Sequence, residues 1–208
     1  MELRDALTQI AEIRQQMART EVFRGYRSAT TAFSALVAVA AAAVQQYGLP
    51  DEHWIAWHVL YLWAAAAAVS LIVVATEMVV RYRRNPSVLQ RQITLVAVEQ
   101  FVPCLVAGAL MTYVLSYVAT WNTLLMLPGL WAILFSLGVF ASRRVLPKGT
   151  ALVGAWYLLA GLVCLMHHKE QGREQFNFAK QMALTFGGGQ LLAAGVLYWM
   201  LERRHGRS

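Results

Sequence analysis

Charge is scarce in this chain: only 14% of its 208 residues are Asp, Glu, Lys or Arg, where an ordinary soluble domain carries roughly 25%. Cysteine is scarcer still, with Cys104 and Cys164 alone. Two cysteines inside apolar runs build neither a disulfide framework nor a CxxC metal site, and they read as small buried apolar residues. No Ser–His–acid combination stands out as a hydrolase triad. The Gly187–Gly189 run lacks the strand-turn-helix setting and the basic residue of a phosphate-binding loop. No metal, cofactor or catalytic residue is therefore expected. An enzyme acting on lipids is the least favoured class, because the interfacial cluster of polar residues it needs is missing.

Apolar sequence fills the space that charge leaves. The composition is 58% hydrophobic with a mean hydropathy of +0.47. Runs of about 18 or more largely uncharged residues read as membrane spans, because about 20 helical residues cross the hydrocarbon. Six such runs are expected, at Ser28–Gly48, Trp54–Val80, Ile93–Tyr117, Thr123–Ala141, Thr150–Met166 and Met182–Leu201. The fold class is thus all-α: a polytopic membrane protein with six transmembrane helices over 28–201. Ahead of them, residues 1–27 carry Leu3, Ala6, Leu7, Ile10, Ile13 and Met17 at helical spacing, which predicts a cytoplasmic amphipathic helix. Its four acidic residues, Glu2, Asp5, Glu12 and Glu21, argue against a cleavable signal peptide. Residues 202–208 form a short basic tail.

The net charge of +7 invites a nucleic-acid reading, but its distribution follows the spans. Of the 18 Lys and Arg residues only Lys169, Arg173 and Lys180 fall on one side; the other 15 fall on the opposite side. That asymmetry is the positive-inside pattern of an even number of spans with both termini cytoplasmic. A cytoplasmic (inner) membrane of bacterial type is the expected location. The basic excess is expected to meet anionic headgroups, and no nucleic-acid partner is expected. Arginine pairs recur at Arg83-Arg84, Arg143-Arg144 and Arg203-Arg204, 60 residues apart each time. Repeated stop-transfer charges explain this spacing without an internal gene repeat.

The stretch Trp54–Tyr117 organises the rest: two apolar runs joined by a loop with Arg81, Arg83, Arg84 and Arg91. Trp54, Trp57, Tyr61 and Trp63 form an aromatic belt at its outer end. The acids Glu77 and Glu99 lie inside apolar runs on either side of the loop. Glu77 stands four residues before Arg81, the favourable order for a helical ion pair. Glu99 has no basic residue three or four positions away, and Pro103 cannot donate to its carbonyl, leaving a free acceptor beside a carboxyl. Gln100 and Gln92 add polarity nearby, and Gln190 follows the glycine run of the last span.

Two functional classes follow. The favoured one is a non-catalytic sensory or accessory membrane component, with residues 1–27 available to a protein partner and no other demand on the residues. The other is a small carrier in which Glu99, helped by Glu77, Gln100, Pro103 and Gln190, handles a proton or small solute. Glu77 and Glu99 with no histidine at their level make a weak metal site. His58, His167 and His168 gather towards the outer side, where a wet interface accounts for them without a haem.

Overall fold

The structure, a computed structural model, describes residues 28–48, 56–84, 88–118, 121–144, 146–147, 149–170 and 177–202. The amphipathic helix expected over 1–27, the loop at 85–87 and the tail beyond 202 lie outside the described residues, as do the side chains of Arg81 and Arg91. Every described element is helical, and no strand occurs among the described residues. In order they are α1 (Ser28–Tyr47), α2 (Ala56–Arg84), α3 (Val88–Val118), the single turn α4 (Trp121–Leu124), α5 (Leu127–Ala141) and α6 (Thr150–Glu170). The last helix, α7, covers 178–202 and alternates α and π turns, with π segments at Ala183–Gly188 and Tyr198–Glu202.

Local signals set these boundaries. Pro128 occupies the first turn of α5, where its missing N–H costs no helical bond. Asn177 caps α7, its side-chain oxygen accepting from the Lys180 backbone N–H at 2.9 Å, the role that short polar side chains fill at helix starts. Pro103 lies inside α3, and the helix runs through it.

Among the described residues four helices are long and apolar enough to cross a membrane: α1, residues 58–84 of α2, residues 94–118 of α3, and residues 150–167 of α6. The other two expected spans are shorter as uninterrupted α-helices. α5 has 15 residues, and α7 is divided by its π turns.

Packing runs from neighbour to neighbour as α2–α1–α7–α6–α5–α3, while α2 and α3 touch only sparingly. α1 buries a stripe of small residues, Thr31, Ser34, Ala35, Ala38, Ala41 and Ala42. Small side chains let backbones come close, the favoured way to join helices where lipid is as apolar as leucine. Ala38, Ala41 and Ala42 of this stripe share a core cluster with Val59 and Trp63 of α2 and Phe178, Ala179 and Met182 of α7. Closest of all is the crossing of α5 and α6. A Cβ on Gly129 would stand 2.8 Å from the Gly161 carbonyl oxygen, and a Cβ on Gly161 would stand 2.8 Å from that of Gly129. Backbone meets backbone there, so no side chain fits.

An aromatic cluster joins four helices. Phe101 of α3 meets Phe135 of α5 edge to face at 5.1 Å. Phe135 lies 4.6 Å from Tyr157 of α6, and Tyr157 lies 5.6 Å from Phe186 of α7. Tyr157 also explains the last glycine of the Gly187–Gly189 run, since a Cβ on Gly189 would fall 2.5 Å from its ring.

Candidate functional site

The two intramembrane acids are best located from the faces of their helices. α2 turns Val59, Trp63, Ala66 and Glu77 towards the bundle, each buried or half-buried. Trp63 donates its indole N–H to Gln45 Oε1 of α1 at 2.7 Å. Four turns further on, Thr30 of α1 donates its hydroxyl to Glu77 Oε2 at 2.5 Å. These two polar contacts lie at opposite ends of the same helix pair and pin its register. The Arg81 side chain, which the sequence offered as the partner of Glu77, lies outside the described residues; among them Glu77 accepts from a threonine 47 positions away in the chain. A signal for it exists in the two hydroxyls Thr30 and Thr31 at the start of the first span, level with Glu77 in an antiparallel pair.

α3 arranges its faces differently. Phe101 and Cys104 pack against α5, where a Cβ on Gly138 would stand 2.7 Å from the Phe101 ring and 3.3 Å from Cys104 Cβ. Trp131 of α5 donates to Thr112 Oγ1 at 2.7 Å, and Met111 and Leu115 pack with Leu60, Leu124 and Leu127. At about 100° per residue, Glu99 stands roughly 140–180° around α3 from Phe101, Cys104 and Gly108. Glu99 is exposed accordingly, and it makes no hydrogen bond or ion pair among the described residues.

The surroundings of Glu99 are apolar. Leu95 precedes it and Val102, Val106, Leu110 and Tyr113 follow it along the outward face at spacings of three and four, and all are exposed. Tyr117 ends the stripe with its ring 4.9 Å from that of Tyr113. Glu99 lies eleven residues into α3, about 17 Å along its axis. Counted from the start of the apolar span at residue 94 its depth is about 8 Å, and a carboxyl there costs at most the roughly 3 kcal/mol of a helix centre.

The remaining candidates are dispersed. Pro103 is exposed on the same side of α3 as Glu99. Ser142 reaches α3 from the end of α5 but donates to the carbonyl of Ala97, at 3.5 Å, rather than to the Glu99 carbonyl that Pro103 leaves without its helical donor. Gln100 is half-buried, and its Oε1 is buried without a hydrogen-bond partner among the described residues. Gln190, on α7, is half-buried and makes no side-chain hydrogen bond among the described residues. No contact joins Glu77, Glu99 and Gln190: one faces α1, one faces outward, and the third sits in a helix packed on α1 and α6.

Neither histidine whose side chain is described lies in a cluster. His58 and His167 are both exposed, and the His167 ring nitrogen sits 3.0 Å from the Val163 carbonyl of its own helix. Groups of three or more His, Cys, Asp or Glu able to hold a metal ion are absent among the described residues.

One backbone feature escaped the sequence. Within the first π segment of α7, Thr185 is fully buried and returns its hydroxyl to the Gln181 carbonyl at 2.7 Å. Its own carbonyl accepts from the Trp156 indole N–H of α6 at 3.4 Å. That carbonyl also accepts from the backbone N–H of Gly189, so the indole is a second donor to it from a neighbouring helix. Three consecutive glycines were the only hint. No protein family model, curated protein or solved structure matches the chain.

Proposed function

We propose that this chain is a non-catalytic accessory or sensory component of a cytoplasmic membrane, acting through contacts its helices make within the bilayer. The observation that carries this reading is Glu99, a carboxyl with no hydrogen-bond or ion-pair partner among the described residues, near the start of an exposed apolar stripe on α3. Hydrocarbon offers a carboxyl nothing to bond, so intramembrane acids are retained where another polar group meets them. A protein surface on the outward face of α3 would supply one. Residues 1–27 remain a second place of contact, on the cytoplasmic side.

Six spans with both termini cytoplasmic remain the topology we favour. α4 and α5 together cover residues 121–141, and α7 stays helical over 178–202, long enough in each case to extend the four clear spans to six. The positive-inside distribution supports the orientation. With Gln171→Cys and Ser87→Cys in a cysteine-free background, an impermeant thiol reagent should label the first from outside and not the second; the reverse pattern would invert the topology.

The carrier reading draws on the buried, unpartnered Gln100 Oε1 and on the π turns of α7, since irregular helices are common where transporters bind their cargo. It is the weaker reading because Glu99 faces away from the bundle and Glu77 is engaged by Thr30. The two readings separate in vesicles reconstituted with the chain alone. An accessory component should show proton and solute leak equal to empty vesicles. Flux that Glu99→Gln abolishes would establish the carrier instead.

A further inference from the structure

We propose that α7 has two registers: its stretch Gly189–Leu197 slips by one residue against α1 and α6 when the π turn at Ala183–Gly188 relaxes to an α turn. The slip belongs to the last helix alone and stands with either reading of function. Three observations carry it.

The first is a stored residue. A π turn holds one residue more than an α turn, and α7 is α on both sides of it, over Phe178–Met182 and Gly189–Leu197. Releasing that residue while Phe178–Met182 stays in place moves each later residue into the place of its successor. The motion is about 1.5 Å along the axis and about 100° around it. A second π segment follows directly at Tyr198–Glu202, so the moving stretch is bounded by irregular turns at both ends.

The second is what the slip brings to the packed face. The buried residues of the stretch are Gly189, Ala194 and Leu197, and Gly188, Ala193 and Val196 would replace them. Glycine replaces glycine, alanine replaces alanine, and one aliphatic side chain replaces another. The opposite slip would put Gln190 against Tyr157 and bury Tyr198 in place of Leu197. Upstream of the π turn the doubling stops: buried Met182 follows Gln181, and buried Thr185 follows Leu184. In α1, likewise, buried Ser34 follows Phe33. Among the half-buried places, that of Ala193 gains bulk from Leu192, while those of Gln190 and Val196 lose it to Gly189 and Gly195.

The third is the glycine run. A Cβ on Gly189 would stand 2.5 Å from the Tyr157 ring, and one on Gly188 would stand 3.2 Å from the Trp156 ring. After the slip Gly188 lies against Tyr157, and Gly187, now next to Val39 of α1, moves towards Trp156. The contacts with α6 use two glycines at a time, and a run of three serves both registers.

Disulfide formation reads the register, in the full chain in lipid vesicles with Cys104→Ala and Cys164→Ala. A Cβ on Gly149 would stand 2.9 Å from Val196 Cγ1, so Gly149→Cys with Val196→Cys should link in the register seen. A Cβ on Gly195 meets nothing within 4 Å. Gly149→Cys with Gly195→Cys should therefore link through the slip, which carries Gly195 into the place of Val196. Adding Gly188→Ala to this second pair sets a methyl against Tyr157 only after the slip, and it should slow the link about tenfold. Adding Gly189→Ala sets the methyl against Tyr157 only before the slip, and it should speed the link by a similar factor. A link of the second pair that Gly188→Ala leaves unchanged would overturn the two registers. So would linking confined to the first pair. A chain that no longer folds with Gly189→Ala would also contradict them, since the place of Gln190 has room for a methyl.

Discussion

The pair α5–α6 and the pair α2–α3 are both sequence-adjacent helices joined by a basic loop, yet they are built to opposite ends. α5 and α6 cross with Gly129 and Gly161 backbone to backbone, and Ala132 of α5 shares a buried cluster with Val153 and Tyr157 of α6. α2 and α3 are longer, at 29 and 31 residues, but touch mainly where Leu60 meets Met111 and Leu115. Beyond that contact, Ala64, Ala67 and Leu71 of α2 are exposed, and Ala97 is the only buried side chain among those described on α3. Packing in a membrane gains from close approach rather than from expelling water. The first pair spends small residues on closeness; the second leaves large aliphatic and aromatic side chains facing outward, with a carboxyl among them. One pair holds the fold together, and the other presents a surface.

That contrast sharpens or breaks under substitution. The largest effect belongs to the tight pair. Gly161→Leu drives a side chain into the Gly129 carbonyl and Ile133, and it should cost about 3 kcal/mol or prevent folding, because backbone cannot yield as a flexible side chain does. Thermal melts in detergent would measure it, and a melt equal to wild type would show that the helices do not cross there. A smaller loss, about 1 kcal/mol, is expected for Thr30→Val, which removes the hydroxyl from Glu77 while keeping its shape. Should Glu77 draw nothing from α1, the variant will melt unchanged.

The smallest effect should come from α3. Leu110→Ala shortens an exposed side chain and should alter the melt of the detergent-solubilised monomer by no more than about 0.5 kcal/mol. A loss of several kcal/mol would mean that this face is internal and that the contrast between the two pairs is false.

Much of the fold was legible because apolar length is written directly in the residues. The expected first span ends one residue beyond α1, the fifth starts with α6 at Thr150, and the fourth ends with α5 at Ala141. The glycine run before Gln190 stood out in the sequence, and the structure sets Trp156 against Gly188 and Tyr157 against Gly189. Rotation about the helix axis was not legible. α3 is apolar on every side, so its sequence carries no period that tells inside from outside, and the face that Glu99 takes could not be read from it. The same uniformity hid Thr30 from Glu77, since depth could be counted but not facing. The span count was read from composition, whereas uninterrupted helix length gives four clear spans. π turns depend on how Trp156 and Tyr157 approach the α7 backbone, which lies far away in sequence.

The outward stripe of α3 is best tested by spin labels in a bilayer, with Val106→Cys compared against Leu159→Cys, an exposed position on α6. Collision with dissolved oxygen reports whether each label lies in lipid or under protein. The label at Val106 should be shielded, with its oxygen accessibility well below that at Leu159. Equal accessibility at the two positions would mean that lipid covers both faces and that the stripe around Glu99 meets no partner.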